Sequence, residues 1–254
     1  MPIPPRWLTR GGRWAALVVG TAAALAGWGW VALLLGYFIV SSLLTQLGRA
    51  TKAARAASVL APTAARSATQ VAANGGVFAL GAMLVALGGD ERAALAALGA
   101  LGALAAATAD TWATEVGLLW GGAPRSVLTW APVEPGTSGG ITAAGLAASA
   151  AGALAVAAAA TLLLAPLGVT AAVALVAVTI GGVAGSLGDS LLGATIQARR
   201  RCDACATWTE RATHRCGAPT RHASGIAWMT NDAVNLCATL IGGAAALGVA
   251  AAWR

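Results

Sequence analysis

Charge is what this sequence has least of. Of its 254 residues only 10% are Asp, Glu, Lys or Arg, while 58% are hydrophobic. A soluble domain carries about 25% charged residues, so there is too little charge here to coat a water-facing surface, and an ordinary soluble domain is excluded. Aromatics are also few, at 5%, whereas alanine and glycine dominate. That bias suits helices packed in lipid, where small residues let backbones approach closely. P-loop and protein-kinase signatures are both missing, so any nucleotide site must be of another type. A surface of interleaved aromatic and basic residues is missing as well, so the net charge of +7 does not indicate nucleic acid. The basic residues lie in short segments between apolar runs, where they set topology and meet anionic headgroups.

What is present is a series of apolar runs of membrane-spanning length, about 20 residues each. They predict an all-α, polytopic bundle of about seven transmembrane helices near residues 14–28, 30–47, 69–88, 93–119, 141–165, 170–196 and 231–253. The first two are fused and parted by Gly27, Trp28, Gly29 and Trp30. Because a second apolar run follows at once, the first reads as a span and not as a cleaved signal peptide. With the N-terminus inside, 14 of the 16 basic residues fall on the cytoplasmic side, leaving only Arg92 and Arg254 outside. A wrong span count would scramble that asymmetry. The chain reads as one domain, 1–254, in the plasma (inner) membrane. Residues 48–67 form a basic connection that suits an amphipathic surface helix, and residues 197–230 form the longest polar, cytoplasmic loop.

A charged residue at mid-membrane costs about 2.5–3.5 kcal/mol on insertion scales and marks a functional candidate. Of nine acidic residues, Asp110, Glu115 and Asp189 fall inside the expected spans, and Asp232 opens the last one. Asp110 and Glu115 lie about 140° apart on a helix, so one can line a site while the other braces a neighbour. Ser186, Asp189, Ser190, Gly193 and Gln197 share one helical stripe, Asn231 and Asn235 share a face, and Gln70 and Asn74 open the third span. Under the expected topology all of these converge on the cytoplasmic half, which has no counterpart outside. Carboxylates with amide and hydroxyl neighbours suit a hard cation such as Mg²⁺; an interhelical hydrogen-bond network is the structural alternative.

Gly136-Thr137-Ser138-Gly139-Gly140 precedes the fifth span and can present backbone N–H groups to a phosphate at a helix N-terminus. Such loops are also common caps. Cys202, Cys205, His214 and Cys216 make a four-ligand set for structural zinc, with free thiols the alternative in a reducing compartment. Four ligands would close the shell, which argues against catalytic zinc. Cys237 reads as packing and His222 as a loop residue.

Several stretches resemble the integral membrane proteins of domain-of-unknown-function family 92, a family that includes transmembrane protein 19 of animals and phytyl-phosphate kinase of plants and cyanobacteria. They are Ser42-Leu43-Leu44-Thr45, Gln70 to Gly76, Ala109 to Glu115, Gly136 to Gly140, Gly185 to Gln197, and Asn231-Asp232-Ala233-Val234-Asn235. The resemblance implies an enzyme converting a prenyl monophosphate to its diphosphate with a nucleoside triphosphate, CTP favoured. It assigns Asp110, Asp189 and Glu115 to catalysis, with Asp110 and Asp189 holding Mg²⁺. Asn74, Asn231, Asp232, Asn235, Ser186, Ser190 and Gln197 would bind substrate or nucleotide, Gly136 through Gly140 would cradle phosphate, and Arg125 or Arg199 would neutralise charge. A lipid-phosphate cytidylyltransferase uses the same substrates and metal and is the nearest alternative. A small transporter would place its site near midplane with polar access from both sides, which fits the apolar outer half less well. The partners are a prenyl-phosphate lipid, a nucleoside triphosphate and membrane lipids, and a homo-oligomer is compatible with the sequence.

Overall fold

A computed structural model of the chain describes residues 7–57, 59, 65–164, 168–209 and 212–253. Arg6, Arg211 and Arg254, counted above for topology, lie outside the described residues. Among the described residues the chain forms eight helices and five short strands: α1 (Arg10–Ala26), α2 (Trp28–Gln46), α3 (Arg49–Arg55), α4 (Ala68–Leu87), α5 (Asp90–Trp120), β1 (Arg125–Ser126), β2 (Gly140–Ile141), α6 (Ala143–Leu163), α7 (Ala171–Thr195), β3 (Arg199–Cys202), β4 (Thr207–Thr209), β5 (Arg221–Ser224) and α8 (Asn231–Ala252).

Five of these eight helices begin where the sequence offers a hydroxyl, and α2, α3 and α5 begin at a glycine. Thr9, Ser67, Thr142, Thr170 and Thr230 each cap a helix by accepting a first-turn backbone N–H. At α4 the cap is reciprocal, because Gln70 reaches back to the Ser67 amide at 3.0 Å. Six helices are long and apolar enough to cross a membrane: α2, α4, α5, α6, α7 and α8. The expected first span is α1, whose 17 residues reach about 25 Å, short of a hydrocarbon core of about 30 Å. Only Gly27 separates it from α2, at φ 124°, a backbone angle that disfavours any side chain. Trp28, Gly29 and Trp30, expected as a linker, belong to α2. The two helices fold back on each other, so that Trp7 meets Phe38 edge-on at 5.7 Å.

α5 is the axis of the bundle. Its 31 residues pack on α4, α6, α7 and α8, and from Ala97 to Ala109 the chain is almost continuously buried around Leu98, Leu101 and Leu104. Around it the helices approach backbone to backbone. A Cβ at Gly185 would stand 2.4 Å from Ala106 Cβ and 2.7 Å from the Ala238 carbonyl, and one at Gly102 would stand 2.5 Å from the Gly242 carbonyl. The strands lie in the connections: β1 pairs with β2, and β3 is the middle of a three-stranded sheet, β4-β3-β5. The N-terminal ends of α4, α6 and α8 and the C-terminal ends of α2, α5 and α7 gather at one end of the bundle, around a common cavity.

Candidate functional site

The cavity at this polar end has a volume of about 770 Å³. The acidic side of its wall is built from three helices that meet through glycine. Asp110 enters from α5, Ser186, Asp189 and Ser190 from α7, and Asn231, Asp232 and Asn235 from the first turn of α8. Gln197, just beyond α7, closes the stripe, and both it and Ser186 are buried. The separations that bring these groups together are set by Gly185 against Ala106 and Ala238, one turn before Asp189.

The loop from Gly136 to Gly140 also lines the cavity, seated on the end of α7. Two of its glycines have positive φ, Gly136 at 89° and Gly139 at 79°. Gly139 is pressed onto α7, where a Cβ would meet Ala194 Cβ at 2.4 Å and the Ser190 carbonyl at 2.8 Å. The amides of Thr137 and Gly140 are engaged within the loop, donating to Glu134 O at 3.1 Å and Thr137 O at 2.9 Å. Two of the five amides of the expected phosphate cradle are thus engaged in the loop's own turns. Thr142, not a loop glycine, caps α6.

Three expected site residues stand elsewhere. Asn74 is off the cavity wall and donates its side-chain amide to the Gln70 carbonyl at 3.0 Å. Arg125 is off the wall too and donates to the Trp130 carbonyl at 2.8 Å, holding the turn after β1. Arg199 reaches the Ser138 carbonyl at 3.4 Å and so steadies the glycine loop from behind. None of the three contributes to the cavity lining.

Glu115 does border the cavity, and it is the brace foreseen for one of the α5 carboxylates. It forms a short ion pair with Lys52 and accepts from the Thr45 hydroxyl at 2.6 Å. Lys52 also donates to the carbonyls of Leu44 and Thr45 at 2.7 and 3.0 Å. Arg55 does the same for the end of α5, donating to Leu118 O at 2.8 Å and Leu119 O at 3.0 Å. A cation at a helix C-terminus satisfies orphan carbonyls and opposes the helix dipole. The basic segment read as a surface helix thus includes α3, which clamps α2 to α5.

The sequence reading missed the rest of the wall. Trp7, Ser42, Thr45, Gln46, Arg49 and Arg66 also line the cavity. Arg66 is fixed by its backbone, which accepts from Thr9 N at 3.1 Å and donates to Trp7 O at 3.0 Å. Its guanidinium lies over the Phe38 and Tyr37 rings, at 5.5 and 6.0 Å from their centroids. Ser42 and Thr45 were visible as a conserved-looking motif by resemblance, but both arginines had been absorbed into the topology count.

The Cys/His loop folds as a separate small unit. The ligand atoms of Cys202, Cys205, His214 and Cys216 all lie within 4.8 Å of one another. Cys202 Sγ and Cys216 Sγ are 3.7 Å apart, and His214 Nδ1 is 3.1 Å from Cys216 Sγ. The hydrogen bond with His214, followed by that from Ala218, pulls the Cys216 thiol down to about 6, whereas hydrogen bonding to Cys216 pushes Cys205 up to about 11. Cys202 is fully buried in this knot. His222 is exposed on β5 and Cys237 half-buried in α8, neither of them in the cluster.

Comparison with known proteins bears on the whole chain. Residues 2–243 match the family described as Integral membrane protein DUF92. Protein PGR of Arabidopsis thaliana is 30% identical over 245 residues, covering 89% of this chain and 83% of its own length. An uncharacterized membrane protein of Methanocaldococcus jannaschii is 31% identical over 217 residues, covering 85% of this chain and 74% of its own. No solved structure matches. A match over nearly all the residues, with a helical architecture to fit it, places this chain in the DUF92 family of integral membrane proteins.

Proposed function

We propose that this protein is a prenyl-phosphate kinase that transfers a phosphoryl group from a nucleoside triphosphate, CTP favoured, to a prenyl monophosphate. The reading rests on one observation above all: Asp110, Asp189, Asp232, Asn231 and Asn235 line one 770 Å³ cavity facing the Gly136–Gly140 loop. The basic connections favour the cytoplasmic side of the plasma (inner) membrane for that end of the bundle, where nucleotide would be available.

The donor set is all oxygen: carboxylates, side-chain amides and the hydroxyls of Ser186 and Ser190. Such a set fits Mg²⁺. Asp110 and Asp189 would hold it, and it would supply neutralisation of polyphosphate charge. The chain's own contribution is positioning, which dominates phosphoryl transfer. Asn231 and Asn235 orient phosphate oxygens from the positive end of α8, and Ser138–Gly139 lets backbone approach the phosphates. A general base is not required, because the accepting phosphate oxygen is already largely deprotonated at neutral pH, with a second pKa of about 6. The commitment of Glu115 to Lys52 therefore removes nothing that the reaction needs.

The cysteine cluster is read as a structural zinc site. Zn–S bonds of about 2.3 Å in a tetrahedron place sulfurs about 3.8 Å apart, close to the 3.7 Å between Cys202 and Cys216. His214 Nδ1 would be the fourth ligand, with Nε2 3.4 Å from the Thr207 hydroxyl in the place of an outer partner.

Purified protein is incubated with Mg²⁺, labelled CTP or ATP, and prenyl monophosphates of several chain lengths, beside an Asp189→Asn control. Wild type yields labelled prenyl diphosphate, and the variant loses about 10²–10³-fold in rate. A CDP-linked lipid would instead make the protein a cytidylyltransferase acting in the same cavity. No product with any lipid or nucleotide, from folded protein, overturns both enzymatic readings and leaves the transporter.

A further inference from the structure

The cavity also carries a basic pole, which the chemistry above does not use. Arg49, the first residue of α3, and Arg66, just before α4, line the same cavity as Ser42. Ser42 is only 4% exposed, and its hydroxyl has no hydrogen-bond partner. A buried hydroxyl left unsatisfied costs about 1–3 kcal/mol, so this one is set to meet something that enters the cavity. In the same segment Lys52 is tied to Glu115 and the end of α2, and Arg55 to the end of α5. Arg66 is held from three directions, by Trp7 and Thr9 through its backbone and by the rings of Phe38 and Tyr37 under its guanidinium. A planar guanidinium fixed in this way is preorganised for bidentate recognition of a phosphate.

The position of this pole indicates which anion it meets. Ser42, Thr45 and Gln46 sit at i, i+3 and i+4 on the cavity side of α2, whereas Leu35, Ile39, Leu43 and Leu47 are exposed along the same stretch. One side of this helix therefore faces lipid and the other faces the cavity, at the level where a headgroup would end. Asp110, Asp189 and Asp232, elsewhere on the lining, repel an anion that arrives without a metal.

We propose that Arg49, Arg66 and Ser42 form the subsite that binds the phosphate monoester of the membrane-embedded substrate. This deepens the proposed kinase reading and depends on it only for the identity of the lipid.

The test is equilibrium binding to the full chain in detergent micelles. Farnesyl monophosphate and dodecyl phosphate are the probes, farnesol and dodecanol the uncharged controls, and Mg²⁺ with CTP the second arm. In Arg66→Gln and Arg49→Gln the dissociation constant for both phosphates rises on the order of tenfold or more. Ser42→Ala raises it about threefold, Arg66→Lys recovers part of the loss, and affinity for farnesol and for Mg²⁺ with CTP does not change. Should Arg66→Gln fail to fold, Arg49→Gln and Ser42→Ala carry the comparison, since neither holds the backbone of α1. Loss of CTP binding with phosphate-lipid binding intact would make this the nucleotide pole and overturn the proposal, as would equal affinity in every variant. Arginine-dependent alkyl-phosphate binding in a protein without kinase activity would sink the proposed function and leave this subsite standing.

Discussion

Two regions of this bundle deliver polar groups to one cavity by opposite means. α5, α7 and α8 approach until backbones touch, through Gly102, Gly181, Gly185 and Gly242. Among the described residues α2 and α3 make no glycine-to-backbone contact of this kind with α5. α2 shares apolar core with it through Trp30 and Leu33, and at the cavity end both are tied to it by Lys52, Arg55 and the pair that Lys52 makes with Glu115. In lipid, apolar surface gains nothing by leaving the solvent, so helices associate through close packing or through polar links. The first region places the carboxylates by the former means, and the second places the basic wall by the latter. Close packing tolerates no added atom, whereas a polar link tolerates bulk but not loss of charge.

The largest effect that separates the two regions should come from Gly185→Val. Even the first added carbon would lie 2.4 Å from Ala106 Cβ, so α7 must leave α5 and α8, at a cost of at least about 3 kcal/mol. Size-exclusion chromatography in detergent should show no monodisperse species, and a well-folded Gly185→Val protein would refute close packing as the determinant. Lys52→Met should come next, because removing one member of a buried pair costs about 3–5 kcal/mol. Adding Glu115→Gln should restore part of it; a denaturation midpoint unmoved by Lys52→Met would mean that α3 is not a clamp. Cys202→Ser should abolish bound zinc, from about one ion per chain to none, while the helical circular-dichroism signal of the bundle stays. Wild-type protein purified without chelators and free of zinc by elemental analysis would return the cluster to free thiols. Smallest of all is Gly36→Ala in α2, where nothing lies within 4 Å of the added carbon. It should shift stability by less than about 1 kcal/mol, toward stabilisation through helix propensity, against a severe loss for the same change at Gly185.

The contrast also explains what could be read from the sequence. Apolar runs locate α4 through α8 to within a few residues, because span length is imposed by lipid and the starts of all but α5 carry Ser or Thr caps. Asp110, Asp189, Asn231 and Asn235 were legible because polar groups in such runs are costly and few. Glu115 had no separate signal: the angle to Asp110 said that the two differ in role, but Lys52, 63 residues away, decides which one braces. Arg49 and Arg66 were hidden by a sufficient explanation, since cations beside spans are expected for topology alone. Arg125 and Arg199 lie off the cavity lining, each donating to a backbone carbonyl, which the sequence could not foretell. The β3–β5 sheet was unreadable because β3 is the run Arg199-Arg200-Arg201-Cys202, which carries no alternating pattern. Its stability comes instead from side-chain bonds such as Arg200 to Thr220 at 2.7 Å.

α8 is the last helix in the sequence, yet it packs against α4, α5 and α7 in the middle of the bundle. During synthesis the other helices can gather first, but Gly102, Gly181 and Gly185 then face an open groove in place of Gly242, Ala246 and Ala238. The same delay withholds Asn231, Asp232 and Asn235 from the cavity. Insertion of the final helix therefore completes the packing and the polar wall in one event, so a nascent or truncated chain ending before Asn231 lacks both the closed core and the full set of polar groups.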